Sequence, residues 1–147
     1  MEAKGNVLIV TDGSGETAEM AAGIAAALKD STVTVKTASE FKGNDILPAK
    51  AFFLGCKEPR PDSFAYLTLL LKHINLASRP CGVFSPGSRE ATEYLAGLVC
   101  DCEAALNPEP LFSGHAQAVK EWAQSVVSGS FKQARTEALE ADHGERI

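Results

Sequence analysis

The chain has 147 residues, 45% of them hydrophobic, and a formal net charge of −5. That length buries roughly 68% of the unfolded surface, enough for a single domain with its own core. The acidic balance, with Lys and Arg scattered rather than gathered in a stripe, argues against nucleic acid as a partner. No apolar run approaches the ~20 residues of a membrane span, so a cytoplasmic protein without membrane insertion is expected.

Taken in chain order, strand and helix signals alternate. A strand over residues 6–11, built on Val7 to Val10, leads through small and polar residues into an alanine-rich helix over residues 15–29. A strand feeding a helix N-terminus directs free backbone N–H groups and the positive end of the helix dipole into the intervening loop, which makes a ready anion site. Residues 32–37, TVTVKT, alternate as a short strand does. Asn44, Asp45 and Pro48 break the chain before AFFLGC, a run apolar enough for burial on both faces. Pro61 and Asp62 precede a helical stretch over residues 63–75, CGVFS reads as a fourth strand, and residues 88–99 as a helix. A fifth short strand falls within residues 101–112, interrupted by Asn107 and Pro108. The last core helix, residues 114–127, places Ala116, Val119, Trp122, Ala123 and Val126 on one face, so Trp122 is expected in the core. Repeated β-then-α units predict a parallel sheet with right-handed crossovers and helices on both faces.

The side chains with reactive chemistry have structural readings. Cys56, Cys81, Cys100 and Cys102 lack zinc or CxxC spacing and are expected as buried free thiols, with Cys100 and Cys102 on one strand face. His73, His115 and His143 lie far apart in sequence, which points to solvated or helix-terminal roles. Residues 13–18 also fit the dinucleotide pattern GxGxxA, with Glu40 at the place of a ribose-binding acid, but the chain is short for an added substrate domain. A phospho-acceptor Asp at the end of the third strand is ruled out by Gly55 and Cys56.

Leu8, Ile9, Gly15, Thr17, Ala21 and Ile24 fall on the opening signature of the short-chain flavodoxins, a family the chain resembles over roughly residues 5–128. AFFLGC is similar to its third strand, CGVFSPGS to its fourth strand and following loop, and Trp122-Ala123 to a pair in its final helix. The chain departs from that signature at three positions: Val10 in the strand stands for an aromatic, and in the loop Asp12 stands for a phosphate-binding Ser or Thr and Glu16 for Asn. The resemblance implies an α/β three-layer sandwich with a five-stranded parallel sheet of order 2-1-3-4-5. It also implies non-covalent flavin mononucleotide (FMN) with its phosphate on the loop Asp12, Gly13, Ser14, Gly15, Glu16 and Thr17. The ring would lie between Cys56, Lys57, Glu58, Pro59 and Arg60 and the loop Ser85, Pro86, Gly87 and Ser88. Where the family commonly has stacking aromatics, neither of these loops holds a ring.

Two functions follow from that resemblance. One is an electron carrier, rather than a catalyst, that holds FMN and meets redox partner proteins. The other is a binding or interaction module that keeps the fold and has lost FMN, favoured by the missing rings and by the two acids in the phosphate loop. The expected domain covers residues 1–128. Residues 129–147 are expected as a polar, partly helical extension in which the spacing of Phe131, Ala134, Ala138 and Leu139 gives one face, expected to dock on the domain or on a partner.

Overall fold

The computed structural model describes residues 6–112 and 115–129. In β1 (Asn6–Thr11) every residue from Val7 onward is buried. Alternation sends Leu8 and Val10 to one face of the sheet and Val7 and Ile9 to the other. Both faces are covered, which is why the run is continuously apolar. β3 (Ala49–Gly55) repeats the arrangement with Phe52 and Leu54 on the first face and Ala51 and Phe53 on the second. With β2 (Thr32–Thr37), β4 (Pro80–Phe84) and β5 (Ala105–Leu106) they form one parallel sheet of order β2-β1-β3-β4-β5, as expected.

The helices supply the outer layers. α1 (Gly15–Ala27) and α5 (Ala116–Ser128) pack on one face through Met20, Ala21 and Ile24 and through Val119, Trp122, Ala123 and Val126. α2 (Gly43–Ile46), α3 (Ala65–Leu71) and α4 (Arg89–Cys102) cover the other with Ile46, Leu67, Leu71, Ala91, Leu95 and Val99. Trp122 lies in the core as expected: its ring centroid is 5.4 Å from that of Phe53, and its indole N–H donates to the Glu109 carbonyl at 2.7 Å. Gly82 leaves the space the indole fills, since a Cβ there would lie 2.7 Å from it. The chain leaves β1 toward β2 on one side and returns to β3 on the other. The C-terminal ends of β1 and β3 thus flank the crevice where open α/β sheets bind ligands.

Several expectations need correction. α1 ends at Ala27 rather than residue 29, because Leu28 leaves helical geometry with φ −108° and ψ 55°. The helix expected over residues 63–75 is a single 3-10 turn (Asp62–Phe64) followed by α3, which stops at Leu71. The core explains the early stop: Leu76 is 1% exposed, and its N–H donates to the Cys102 carbonyl at 2.8 Å, which a continued helix would prevent. α4 runs three residues past 99 and takes in Cys100 and Cys102. These two cysteines therefore share no strand face. Cys102 points into the core beside Leu98 and Val99, while Cys100 is exposed, contrary to the buried thiol expected. α5 starts at Ala116 rather than residue 114. His73 is exposed and His115 immediately precedes α5, whereas His143 and the extension from residue 130 lie outside the described residues.

Candidate functional site

The loop between β1 and α1 is organised by its own side chains. Thr11, 2% exposed at the end of the buried strand, accepts the Gly13 N–H on its hydroxyl at 3.2 Å. Gly13 has φ +85°, a left-handed turn that glycine adopts without steric cost. Asp12 then accepts the Ser14 N–H on Oδ1 at 3.0 Å, the local closure that makes Asp a turn residue. Ser14, the residue before α1, donates its hydroxyl to Oγ1 of the buried Thr17 at 2.7 Å. The N–H groups of Gly15, Glu16 and Thr17 make no hydrogen bond among the described residues. They open the 13-residue α1, so three donors and the positive end of its dipole converge there.

Asp12 also reaches across to the loop after β3. Its Oδ2 accepts the Lys57 N–H at 2.8 Å. The Lys57 ammonium pairs with Glu16 at 3.0 Å, and this hydrogen bond, reinforced by the Glu16 charge, raises the Lys57 pKa. One carboxylate and one ion pair therefore hold the two loops together. The ion pair is open to solvent and contributes little. The Asp12 bonds, to a charged acceptor, carry most of the connection.

The other expected site residues reach the same end of the sheet. Cys56 is adjacent to β4, where its N–H donates to the Phe84 carbonyl at 3.3 Å, and its side chain lies in the core. Burial, with the Asp12 charge adding to it, pushes the Cys56 thiol up to about 12, so it offers no thiolate near neutral pH. Lys57, Glu58, Pro59 and Arg60 form an exposed loop in which Arg60 has a φ of 57°. Past β4, Gly87 with φ +95° donates its N–H to the Ser85 carbonyl at 2.8 Å. Pro86 is half-buried between them. Ser88 caps α4, its hydroxyl accepting the Ala91 N–H at 3.1 Å, and is thereby committed to the helix. The Ser85 hydroxyl is fully buried and has no hydrogen-bond partner among the described residues. Glu40 accepts the Thr37 N–H at 3.2 Å and closes the turn after β2.

Two contributors escaped the sequence reading. Thr11 was legible only as the end of a strand, although a polar residue closing an otherwise apolar run is a signal for a loop acceptor. Phe112, from the segment after β5, comes under the Arg89 guanidinium, whose carbon lies 5.3 Å from the ring centroid. A ring thus stands beside the β4 loop without belonging to it. Nothing in the local sequence pairs residues so far apart.

With α/β layers, this strand order and the loop-to-helix donor cluster at the switch point, the chain has the flavodoxin fold. No protein-family model matches the sequence, and no curated protein matches it significantly. Among solved structures, a short-chain flavodoxin associated with a non-canonical PDU bacterial microcompartment is similar with a TM-score of 0.74 and 13% identity, over 84% of this chain and 97% of that one. Oxidised flavodoxin 2 from Bacillus cereus gives 0.71 and 18%, over 86% and 99%. A Fusobacterium nucleatum flavodoxin variant bound to FMN gives 0.66 and 11%, over 86% and 96%.

The donor chemistry fits an FMN phosphate: three unbonded N–H groups at a helix start. The unpartnered Ser85 hydroxyl, at the end of β4, adds an unused polar group on the side where a ring would lie.

Proposed function

We propose that this protein holds FMN non-covalently at the C-terminal ends of β1, β3 and β4 and carries electrons between redox partner proteins. The observation that carries this reading is the trio of unbonded N–H groups of Gly15, Glu16 and Thr17, set at the crevice of a flavodoxin fold. The N–H groups of Gly15, Glu16 and Thr17 would hold the phosphate, with Asp12, Gly13 and Ser14 at its edge. Cys56 to Arg60 and Ser85 to Ser88 would border the ring. FMN supplies the electron chemistry when bound, and the chain binds and orients it without contributing an acid, base or nucleophile. Cys56 and Ser88 serve through their backbone, since the thiol is packed in the core and the hydroxyl caps α4.

A specific observation favours the second reading, an interaction module without flavin. Asp12 already takes up the Ser14 N–H and joins it to Lys57, so an internal carboxylate satisfies part of the anion loop. Fluorescence titration of FMN with the purified full chain separates the two. Saturable quenching with a Kd below about 100 μM supports the carrier, because the absent stacking rings weaken binding by about 1–3 kcal/mol each without abolishing it. Unchanged FMN fluorescence at that protein concentration supports the interaction module.

A further inference from the structure

At the opposite end of α1 from the candidate site, a groove of about 840 Å³ runs between α1 and α5. Its floor is apolar, with Ala27, Val119 and Val127, and Lys29, Lys50 and Lys120 stand around it against Asp30, the one acid lining it among the described residues. None of the three lysines is in an ion pair among the described residues. α5 ends on the groove, because Ser128 also lines it, and Gly129 with φ 72° then turns the chain out of the helix in a left-handed cap. The described chain therefore leaves α5 at the rim of the groove.

The sequence of residues 130–147 complements the groove. Phe131, Ala134, Ala138 and Leu139 follow helical spacing, i, i+3, i+7 and i+8, and so supply one apolar stripe. Residues 130–147 carry Glu137, Glu140, Asp142 and Glu145 against Lys132, Arg135 and Arg146, and the acids gather in the later part, past Arg135, opposite in sign to the groove lysines. We propose that residues 130–147 of the same chain fold back into the α1–α5 groove, with Phe131 on the apolar floor and the later carboxylates against Lys29, Lys50 and Lys120. The contact stands apart from the flavin reading, since it closes the end of α1 remote from the phosphate loop.

Photo-crosslinking of the full chain with benzoylphenylalanine in place of Phe131 tests it. Adducts within one chain to residues 23–31 or to the segment around Lys50 are expected. Combining Lys50→Glu with Lys120→Glu, both at exposed positions, should cut their yield about fivefold, the size of two exposed ion pairs. Adding Glu137→Lys and Glu140→Lys should restore it. Adducts between two copies would overturn the proposal and make the groove an interface between chains. Adducts confined to residues 120–135, or a yield indifferent to the charge reversals, would overturn it as well.

Discussion

Replacing Asp12 with Ser should lower stability and raise FMN affinity at once. The carboxylate accepts two backbone N–H groups, from Ser14 at 3.0 Å and from Lys57 at 2.8 Å. Bonds to a charged acceptor contribute about 1.5–3 kcal/mol each when buried; in this partly exposed setting, their joint loss should cost about 1–3 kcal/mol of folding free energy. Binding moves the other way. An anion held ~5 Å from a carboxylate is repelled by about 3 kcal/mol at an effective dielectric of 20 and by about 1 kcal/mol in water. Removing that charge, with the Ser14 N–H released as a fourth donor, should tighten FMN by about 1–3 kcal/mol, roughly 5- to 150-fold in Kd. Urea unfolding and flavin fluorescence quenching read the two effects on the same samples. Weaker FMN binding by a folded Asp12→Ser protein would refute the reasoning, because it would make the carboxylate a part of the binding site rather than a rival for its donors.

Pro59→Trp places a ring in the exposed loop after β3 and should tighten FMN by about 1–3 kcal/mol in the same titration. Because Asp12 holds that loop through Lys57, the combined variant should gain less than the sum of the two. Gly55→Ala puts a methyl group into the Phe84 ring where both residues are buried, and should destabilise the fold by about 1–3 kcal/mol in denaturant melts. Asp45 has its pKa lowered below 3.8, chiefly by accepting the Lys42 N–H, with Lys36 3.2 Å away adding to the effect. Since the folded value is the lower one, its stabilisation is complete above about pH 4 and is lost as pH falls through the folded pKa. The stability gap between wild type and Asp45→Asn should therefore shrink in acid melts.

The central strands were legible because burial on both faces writes itself into sequence as unbroken apolar runs: the run Val7 to Val10 forms the buried middle of β1, Asn6–Thr11. Helix ends were less legible, because tertiary contacts set them. Leu76 is drawn into the core and stops α3 early, and Cys102 extends α4 for the same reason, which turned an apparent strand face into a helix. At the candidate site, the resemblance correctly brought the loops after β1, β3 and β4 to one end of the sheet. What each side chain does there was not readable. The two hydrogen bonds of Asp12 join residues 45 positions apart as well as near neighbours, and the Arg89–Phe112 contact likewise depends on the fold. The sequence places Ser88 both in the loop after β4 and as the first residue of a helix over residues 88–99, and it is the cap between them.

The central claim, that the donors at the start of α1 receive FMN, is tested most directly by amide NMR of the full chain titrated with FMN. Shifts should concentrate on Gly15, Glu16 and Thr17, then on Lys57, Glu58 and Arg60 and on Ser85, Gly87 and Ser88, and riboflavin, which lacks the phosphate, should leave the first three nearly unmoved. Flat spectra at about 1 mM FMN, a concentration that populates even millimolar sites, would contradict it, as would shifts that gather elsewhere on the molecule.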